Sequence, residues 1–298
     1  MDELTLVRGR ARDRAAVDRL LLDVFGVDVW PIAAQGLSDP TYQSFCFLDN
    51  RGELVANAAV FALTLMVGGV TVDAIGIQSV ATRPAWRRRG VARALLRHVL
   101  EWCDGQGRPV LLMTDIPAFY APLGFVSHRQ TAFRGPAPRP ACAVHGARTV
   151  QSARTVHSAR RLDLTRPDDL ALVVARLRDR VAVSAQFAVL GGPGAFLLAL
   201  LGPGRLEPWW IAGLECLVVT QPCAAGGMCL VDVAAAAIPA LDVILGALGV
   251  APAWVETRFP PDRLGWAGAC CPVDALTLMV RGVLPMPDAL LLPETAWF

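Results

Sequence analysis

Residues 78–92 read QSVATRPAWRRRGVA, and this stretch decides the fold. It continues the apolar, β-prone residues 72–77 as a strand, which Pro84 ends. Apolar residues then recur at helical spacing from Val91 to Val99, so a helix begins near Gly90. A helix N-terminus exposes unpaired N–H groups, and a glycine there lets a ligand come close. With the positive charge of Arg87, Arg88 and Arg89, the stretch predicts a pyrophosphate site.

Two other phosphate-binding loops are excluded by the same residues. The glycine-loop-lysine pattern is absent because the chain has no lysine, and G-x-G-x-x-G does not occur in this stretch. What remains is R-x-x-G-x-A, from Arg87 to Ala92. It resembles the coenzyme A loop of the GNAT N-acetyltransferases, whose pattern is Gln/Arg-x-x-Gly-x-Gly/Ala. The alternative is a solvated, arginine-rich turn before an ordinary helix, and the strand-and-helix context favours the coenzyme A loop.

Length and composition limit the class of protein. The 298 residues are enough for two domains, and 54% of them are hydrophobic, so a sizeable core is available. A net charge of +2 gives no argument for a nucleic-acid partner. No charge-free apolar run is long enough to span a bilayer, and residues 1–3 do not begin a signal peptide. We therefore expect a cytoplasmic protein without a membrane or nucleic-acid partner.

The eight cysteines show neither C-x-x-C pairs nor zinc-type spacing with histidines. We interpret most of them as small buried residues in a reducing compartment and expect no metal site.

The order of elements around the stretch is β-α-(α)-β-β-β-α-β, which is that of the GNAT fold. The predicted fold class is α/β (α+β), with a mixed central sheet and helices on both faces. A second signature is a short helix that carries Tyr120 and is followed by Gly124-Phe125. The resemblance covers about residues 3–134.

The second half of the chain repeats part of this order. We predict a helix from residue 165 to about 188, strands and a helix between residues 209 and 259, and a last strand at 275–280. Residues 228–280 have the strand-helix-strand order of a GNAT domain but lack R-x-x-G-x-A. The predicted division is a GNAT domain at 1–135, a linker at 136–161 and a degenerate GNAT-like domain at 162–298. The last of these ends in a docked C-terminal tail and is not expected to bind coenzyme A.

The resemblance implies roles for individual residues. The backbone N–H of Val80 would polarise the thioester carbonyl, and Tyr120 would protonate the departing thiolate. A packing role for Tyr120 is the alternative. Acetyl-CoA would be held by a run of residues on the strand and the loop: Val80, Ala81, Thr82, Arg87, Arg88, Arg89, Gly90, Val91 and Ala92.

The general base and the acceptor site are less sharply indicated. Asp28 and Trp30 lie in the loop that lines the acceptor pocket of GNAT enzymes, and an acid with an aromatic could grip a cationic amine. A capping aspartate and a packing tryptophan are the alternative. The chain also resembles the enhanced-intracellular-survival type of acetyltransferase, which modifies aminoglycosides and uses its terminal carboxylate as the base. Phe298 would have that role here, although the chain is too short for that type's third, sterol-carrier-like domain.

The resulting expectation is an acetyl-CoA-dependent N-acetyltransferase. It would transfer the acetyl group directly, in a ternary complex, to a primary amine of a small molecule, for which an aminoglycoside-type antibiotic is one candidate. Two alternatives are an enzyme that acetylates protein or peptide amines and a non-catalytic acyl-CoA sensor. The oligomeric state is left open, a homo-oligomer included.

Overall fold

The computed structural model describes residues 4–9, 14–140, 158–202, 204–224 and 226–297. The strands, in chain order, are β1 Thr5–Gly9, β2 Gln43–Leu48, β3 Leu54–Val67, β4 Val70–Thr82, β5 Val110–Thr114, β6 Val126–His128, β7 Ala132–Pro136, β8 Ala159–Arg161, β9 Phe187–Val189, β10 Glu207–Ile211, β11 Cys216–Gln221, β12 Gly227–Ala234, β13 Trp254–Thr257, β14 Ala269–Cys271 and β15 Thr277–Arg281. The helices are α1 Arg14–Phe25, α2 Trp30–Ala33, α3 Val91–Asp104, α4 Pro117–Tyr120, α5 Pro167–Arg178, α6 Pro193–Leu201 and α7 Leu241–Leu248. Short 3-10 helices cover Pro84–Trp86, Ala121–Leu123, Ala212–Leu214 and Glu294–Ala296.

The first sheet has the strand order β1-β2-β3-β4-β5-β15-β6, and β9 pairs with the far end of β3. Its strands are antiparallel except for β4 and β5, which are parallel and joined through α3. Alternating side chains of β2, β3 and β4 pack against α3 on one face, while α1 covers the other face around Cys46 and Ala81. The apolar stripe of α3, which the sequence predicts, is buried in this core.

The second sheet has the order β14-β7-β13-β12-β11-β10-β8. Its only parallel pair in the described residues is β12 with β13, which are joined through α7 as β4 and β5 are joined through α3. Two mixed sheets with helices packed on them confirm the predicted α/β fold class.

The two sheets exchange strands. The last strand, which the sequence places in the second half of the chain, instead pairs with β5 and β6 of the first sheet. Conversely, β7 lies in the first half of the chain but pairs with β13 and β14 of the second sheet. The first sheet therefore takes β9 and β15 from beyond the predicted boundary at residue 135, the second sheet takes β7 from the other side of it, and the division into domains stays a proposal.

The helix predicted from residue 165 to about 188 is wrong in its second half. Helix α5 ends at Arg178, and residues 187–189 form β9. Ser184 holds the turn between them. Its Oγ donates a hydrogen bond to Oδ1 of Asp262 at 2.5 Å and accepts one from the backbone N–H of Gln186 at 3.0 Å. Pairing with the long strand β3 thus outweighs the local helical pattern.

Among the helices within the described ranges, none is both long and apolar enough to cross a bilayer.

Candidate active site

A gap opens between the two parallel strands at the centre of the first sheet. In the described part of the chain, β4 and β5 are in register only at Ile75 with Val110 and at Gly76 with Leu111. Strand β4 continues to Thr82, and there it is paired with β3 alone. The edge of β4 beyond Gly76 is therefore free to accept another extended chain.

The backbone groups on this free edge can be assigned from the flanking hydrogen bonds. The N–H of Ile75 donates to Pro109 on the β5 side, and the N–H of Arg83 donates to Val55 on the β3 side. Beyond the register shift near Ser79, successive residues point their N–H groups to opposite edges, so counting back from Arg83 places the N–H groups of Thr82 and Val80 at the gap. These are two of the positions at which the sequence predicts contact with the acyl donor.

The loop between β4 and α3 presents charge and bare backbone next to the gap. Arg87, Arg88 and Arg89 are all exposed, and Arg87 donates from Nε to the carbonyl of Thr82 at 3.1 Å. Gly90 caps α3 with φ of 77°, a conformation that disfavours a side chain, and open space lies where its Cβ would be. Within the described residues no side chain caps this helix end, so its first N–H groups remain available to an anion.

These residues fit a phosphate-bearing thioester. The gap offers a strand edge, and the helix end and arginines supply donors and positive charge. The Oγ1 of Thr82, between the two, is buried without a hydrogen-bond partner among the described residues. A polar ligand that enters the gap could satisfy it.

Tyr120 ends the short helix α4 and is buried in the same core cluster as Val91, the first residue of α3. Its ring packs edge-on against Phe119 and Phe125, with centroids 4.9 and 6.0 Å away. Val80 packs against this cluster from the strand side. Burial, with a smaller contribution from Asp115, raises the pKa of Tyr120 to about 12. The phenol therefore keeps its proton at neutral pH and is available as a donor.

Of the residues predicted to bind the acceptor or to act as the base, the structure describes Asp28 fully and the others only in part or not at all. Asp28 is exposed in the loop between α1 and α2. Trp30 begins α2, and its side chain is outside the described part of the chain, as is the whole of Phe298. Trp297 donates from Nε1 to the carbonyl of Leu292 at 3.0 Å and packs against the core cluster that contains Leu111. The chain thus reaches the first sheet one residue before Phe298.

The sequence interpretation did not include two residues beside the gap. Asn57 of β3 is fully buried and donates from Nδ2 to the carbonyl of Ser79 at 2.8 Å. Tyr42 is also buried, and burial raises the pKa of its hydroxyl. The nearby side chains of Ser79 and Asn57 offset part of this rise in pKa, although the hydroxyl has no hydrogen-bond partner among the described residues. A polar asparagine within the apolar strand run of β3 is the signal that could have indicated this cluster.

Across the described residues, no group of three or more His, Cys, Asp and Glu side chains is arranged to hold a metal ion.

Comparison with known proteins identifies the first half of the chain. Residues 11–127 match the family described as acetyltransferase (GNAT) domain. A GCN5-related N-acetyltransferase from Kribbella flavida shares 19% identity and a TM-score of 0.53, over 94% of this chain and 71% of that one. Eis1 from Mycobacterium abscessus shares 18% identity and a TM-score of 0.56, over 93% and 73%. A GCN5-related N-acetyltransferase from Anabaena variabilis ATCC 29413 shares 12% identity and a TM-score of 0.55, over 93% and 72%.

At these identities the structural likeness shows the fold, which the three proteins share with nearly the whole chain. No curated protein sequence matches the chain. The matched segment contains the gap, the arginine loop and Tyr120. Residues 11–127 of this chain therefore match a GNAT acetyltransferase domain, which identifies this segment as an acyltransferase domain.

Proposed function

We propose that the chain is an acetyl-CoA-dependent N-acetyltransferase that acts on a primary amine of a small molecule. One observation carries the proposal: the free edge of β4 leads directly into the arginine loop and the uncapped end of α3. An extended pantetheine arm can pair with the edge, and the pyrophosphate at its end then meets the N–H groups of Gly90 and Ala92. Arg87, Arg88 and Arg89 add charge at that place.

The reaction needs a donor for the carbonyl oxygen, an unprotonated amine and an acid for the leaving group. The N–H of Val80 faces the gap and donates to the thioester oxygen as that oxygen gains negative charge. The amine nitrogen forms a bond to the carbonyl carbon and the carbon–sulfur bond breaks, so that the sulfur leaves as a thiolate. Tyr120 then gives its proton to the thiolate, and the second proton that the nitrogen loses as the amide forms restores the phenol. The phenol is fully protonated at neutral pH, so its proton is present when the thiolate forms.

The proton of the attacking ammonium group has to go to a base. We assign this role to the terminal carboxylate of Phe298. The docked tail supports the assignment, because Leu290 and Leu292 are buried and Trp297 packs on the first sheet. Asp28 would bind a second cationic group of the acceptor from the α1–α2 loop, and Trp30 is assigned to the same pocket.

The packing of the C-terminal part against the first sheet supports a small acceptor. Residues from β9, β15 and the tail form one buried cluster with Phe61, Leu63 and Leu111 of the first sheet. This cluster covers one face of the sheet next to Leu111, where β4 and β5 begin to separate. It therefore leaves less room there for a protein chain as the acceptor. An aminoglycoside-type antibiotic is the acceptor that the sequence resemblance suggests.

The test is release of free coenzyme A thiol from acetyl-CoA in the presence of a panel of amines. The panel contains aminoglycosides, simple polyamines and a peptide with a free N-terminus and lysines. We expect turnover with the small amines and little with the peptide. A preference for the peptide would replace the small acceptor by a protein, and tight acetyl-CoA binding without turnover on any amine would indicate a sensor.

The assignment of Phe298 is tested separately by adding one alanine after it. The extension moves the terminal carboxylate by one residue and leaves every other side chain in place. Turnover should fall by at least tenfold at neutral pH while acetyl-CoA binding is kept. Unchanged turnover would remove the terminal carboxylate from the mechanism.

A further inference from the structure

Strand β4 carries an irregularity beside the gap. Asn57 is opposite Ala81 and Ala59 is opposite Gln78, so two residues of β4, Ser79 and Val80, face a single residue of β3. This is a β-bulge. Ser79 has φ of 58°, a left-handed conformation that non-glycine residues seldom adopt without a specific cause.

A buried side chain holds the bulge in place. The Nδ2 group of Asn57 donates to the carbonyl oxygen of Ser79 at 2.8 Å, and Asn57 has no exposed surface. The thiol of Cys46 donates to Oδ1 of Asn57 at 3.5 Å. Because the carbonyl of Ser79 can only accept, the amide of Asn57 must turn its nitrogen towards it. The orientation of the asparagine side chain is therefore fixed from both ends.

The bond from Asn57 also fixes the direction of the next N–H group. Ser79 and Val80 share one planar trans peptide unit, in which the C=O and the N–H point in opposite directions. With the carbonyl of Ser79 held on the β3 side, the N–H of Val80 is directed to the β5 side, into the gap. A hydrogen bond to the carbonyl of a peptide also polarises that peptide and strengthens the N–H as a donor.

From this geometry we infer that Asn57 is a positioning residue for the oxyanion donor. Its amide orients and polarises the peptide whose N–H, that of Val80, binds the thioester carbonyl oxygen. Asn57 itself contacts neither substrate, because it is fully buried on the β3 side. The inference rests on the proposed function, since it gives a task in acyl transfer to a residue outside the arginine loop and the Tyr120 segment.

The test compares Asn57→Ala and Asn57→Leu with a matched control, Ser44→Ala. Both Asn57 variants remove the donor to the Ser79 carbonyl, and the control removes a part-buried hydrogen bond of the same sheet, from Oγ of Ser44 to the carbonyl of Gly9, that does not involve that peptide. We expect kcat to fall 10- to 100-fold in both Asn57 variants while the Kd for coenzyme A changes less than threefold. The control should keep kcat within twofold.

A spectroscopic measurement separates positioning from general loosening of the fold. The carbonyl stretch of bound acetyl-CoA, labelled with 13C at the thioester carbonyl, should lie at lower frequency in the unmodified protein than in water. This shift should be largely lost in Asn57→Leu and kept in Ser44→Ala. An unaltered carbonyl frequency with normal kcat in both Asn57 variants overturns the inference.

The unmodified protein gives a second test if neither variant folds. Acetyl-CoA, compared with coenzyme A, should move the amide proton of Val80 downfield, together with the side-chain amide protons of Asn57, because one peptide unit joins the two bonds. If the amide proton of Val80 does not respond to the acetyl group, Asn57 has no such role. Failure of the unmodified protein to bind or turn over acetyl-CoA would instead contradict the proposed function itself.

Discussion

Arg281 donates from its Nε to the carbonyl oxygen of Leu123 at a distance of 3.1 Å. Arg281 ends β15, the strand contributed by the C-terminal part of the chain, and Leu123 follows Tyr120 by three residues. The same guanidinium binds both carboxylate oxygens of Asp104, the last residue of α3. A Cβ on Gly124 would lie 3.3 Å from the Nε of Arg281, so a glycine lets the arginine pass. One side chain thus joins the exchanged strand, the end of α3 and the Tyr120 segment.

Replacement of Arg281 by methionine should weaken both the fold and the reaction. The change keeps a long apolar stem but removes the donor to Leu123 and the ion pair. We expect the free energy of unfolding to fall by about 1–2 kcal/mol, because the hydrogen bond to the part-buried carbonyl is worth more than the largely exposed ion pair. The turnover number should fall several-fold as the Tyr120 segment loses its support. Urea unfolding and the thiol-release assay measure the two effects.

The matched control for Arg281→Met is Asp104→Asn. It removes the charge of the partner at the helix end but leaves the bond from Arg281 to Leu123 intact. Stability should change by less than about 0.5 kcal/mol and kcat should be unchanged. Equal losses of kcat in the two variants would show that the ion pair, and not the bond to Leu123, supports the site.

Replacement of Tyr120 by phenylalanine should separate catalysis from binding. The ring packing against Phe119 and Phe125 is retained, and only the proton donor is lost. General acid catalysis typically contributes about 10²–10⁴-fold, so kcat should fall by that order while the Kd for acetyl-CoA stays within about threefold. A non-catalytic acyl-CoA sensor would show no effect of the change in either measurement.

The arginine loop predicts a salt-dependent loss of affinity. Arg88→Gln and Arg89→Gln should each weaken coenzyme A binding about three- to tenfold, and the difference from the unmodified protein should shrink at high salt. Thermal stability should be nearly unchanged, because both side chains are exposed. Arg51→Gln, at the exposed hairpin between β2 and β3, is the control and should leave affinity unchanged. Isothermal calorimetry at two salt concentrations tests the comparison.

Buried thiols and a buried phenol predict a loss of stability at alkaline pH. Burial raises the pKa of Cys103 and of Cys216 from 9.0 to about 12, and that of Cys229 to about 11. The pKa of Tyr120 is raised from 10.0 to about 12. Above pH 9 the unfolded chain loses these protons before the folded chain does. The stability is therefore complete below pH 9 and falls as the pH rises towards 12.

The size of this effect can be checked with one double variant. At pH 10 the ionisation of Cys103 or of Cys216 in the unfolded chain should lower the free energy of unfolding by about 1 kcal/mol each. Cys103→Ala with Cys216→Ala should therefore flatten the decline between pH 8 and pH 10.5, whatever the two substitutions cost at pH 8. Urea unfolding at both pH values measures the slope. An equally steep slope in the double variant would assign the decline to other groups.

The elements that the sequence predicts well are those specified by neighbouring residues. Pro84, the arginines and Gly90 lie within a few positions of one another, and Gly90 adopts the positive φ that its place before α3 requires. The helix α3 follows from its apolar spacing, and the short helix with Tyr120 follows from Pro117 at its start. In each case the physical cause lies inside the segment itself.

The strand exchange could not be predicted in the same way. The three central residues of β15 are apolar and buried, as in any strand covered on both faces, and nothing in them distinguishes the edge of β5 from an edge of the second sheet. Helix α6 was missed for a local reason, because glycines flank it and Pro193 at its start indicates a break as readily as a helix beginning. Asn57 was missed because its partner Ser79 is 22 positions away and the two meet only across the β3–β4 pair.

The central claim is that an acyl thioester binds along the free edge of β4, and amide hydrogen exchange tests it most directly. Exchange of the segment from Gln78 to Arg83 is measured with and without saturating acetyl-CoA. We predict slower exchange for the amides of Val80 and Thr82 and for the first turn of α3, with little change in β10 or β11 of the second sheet. Saturable binding of acetyl-CoA with unaltered exchange in residues 78–83 would contradict the claim.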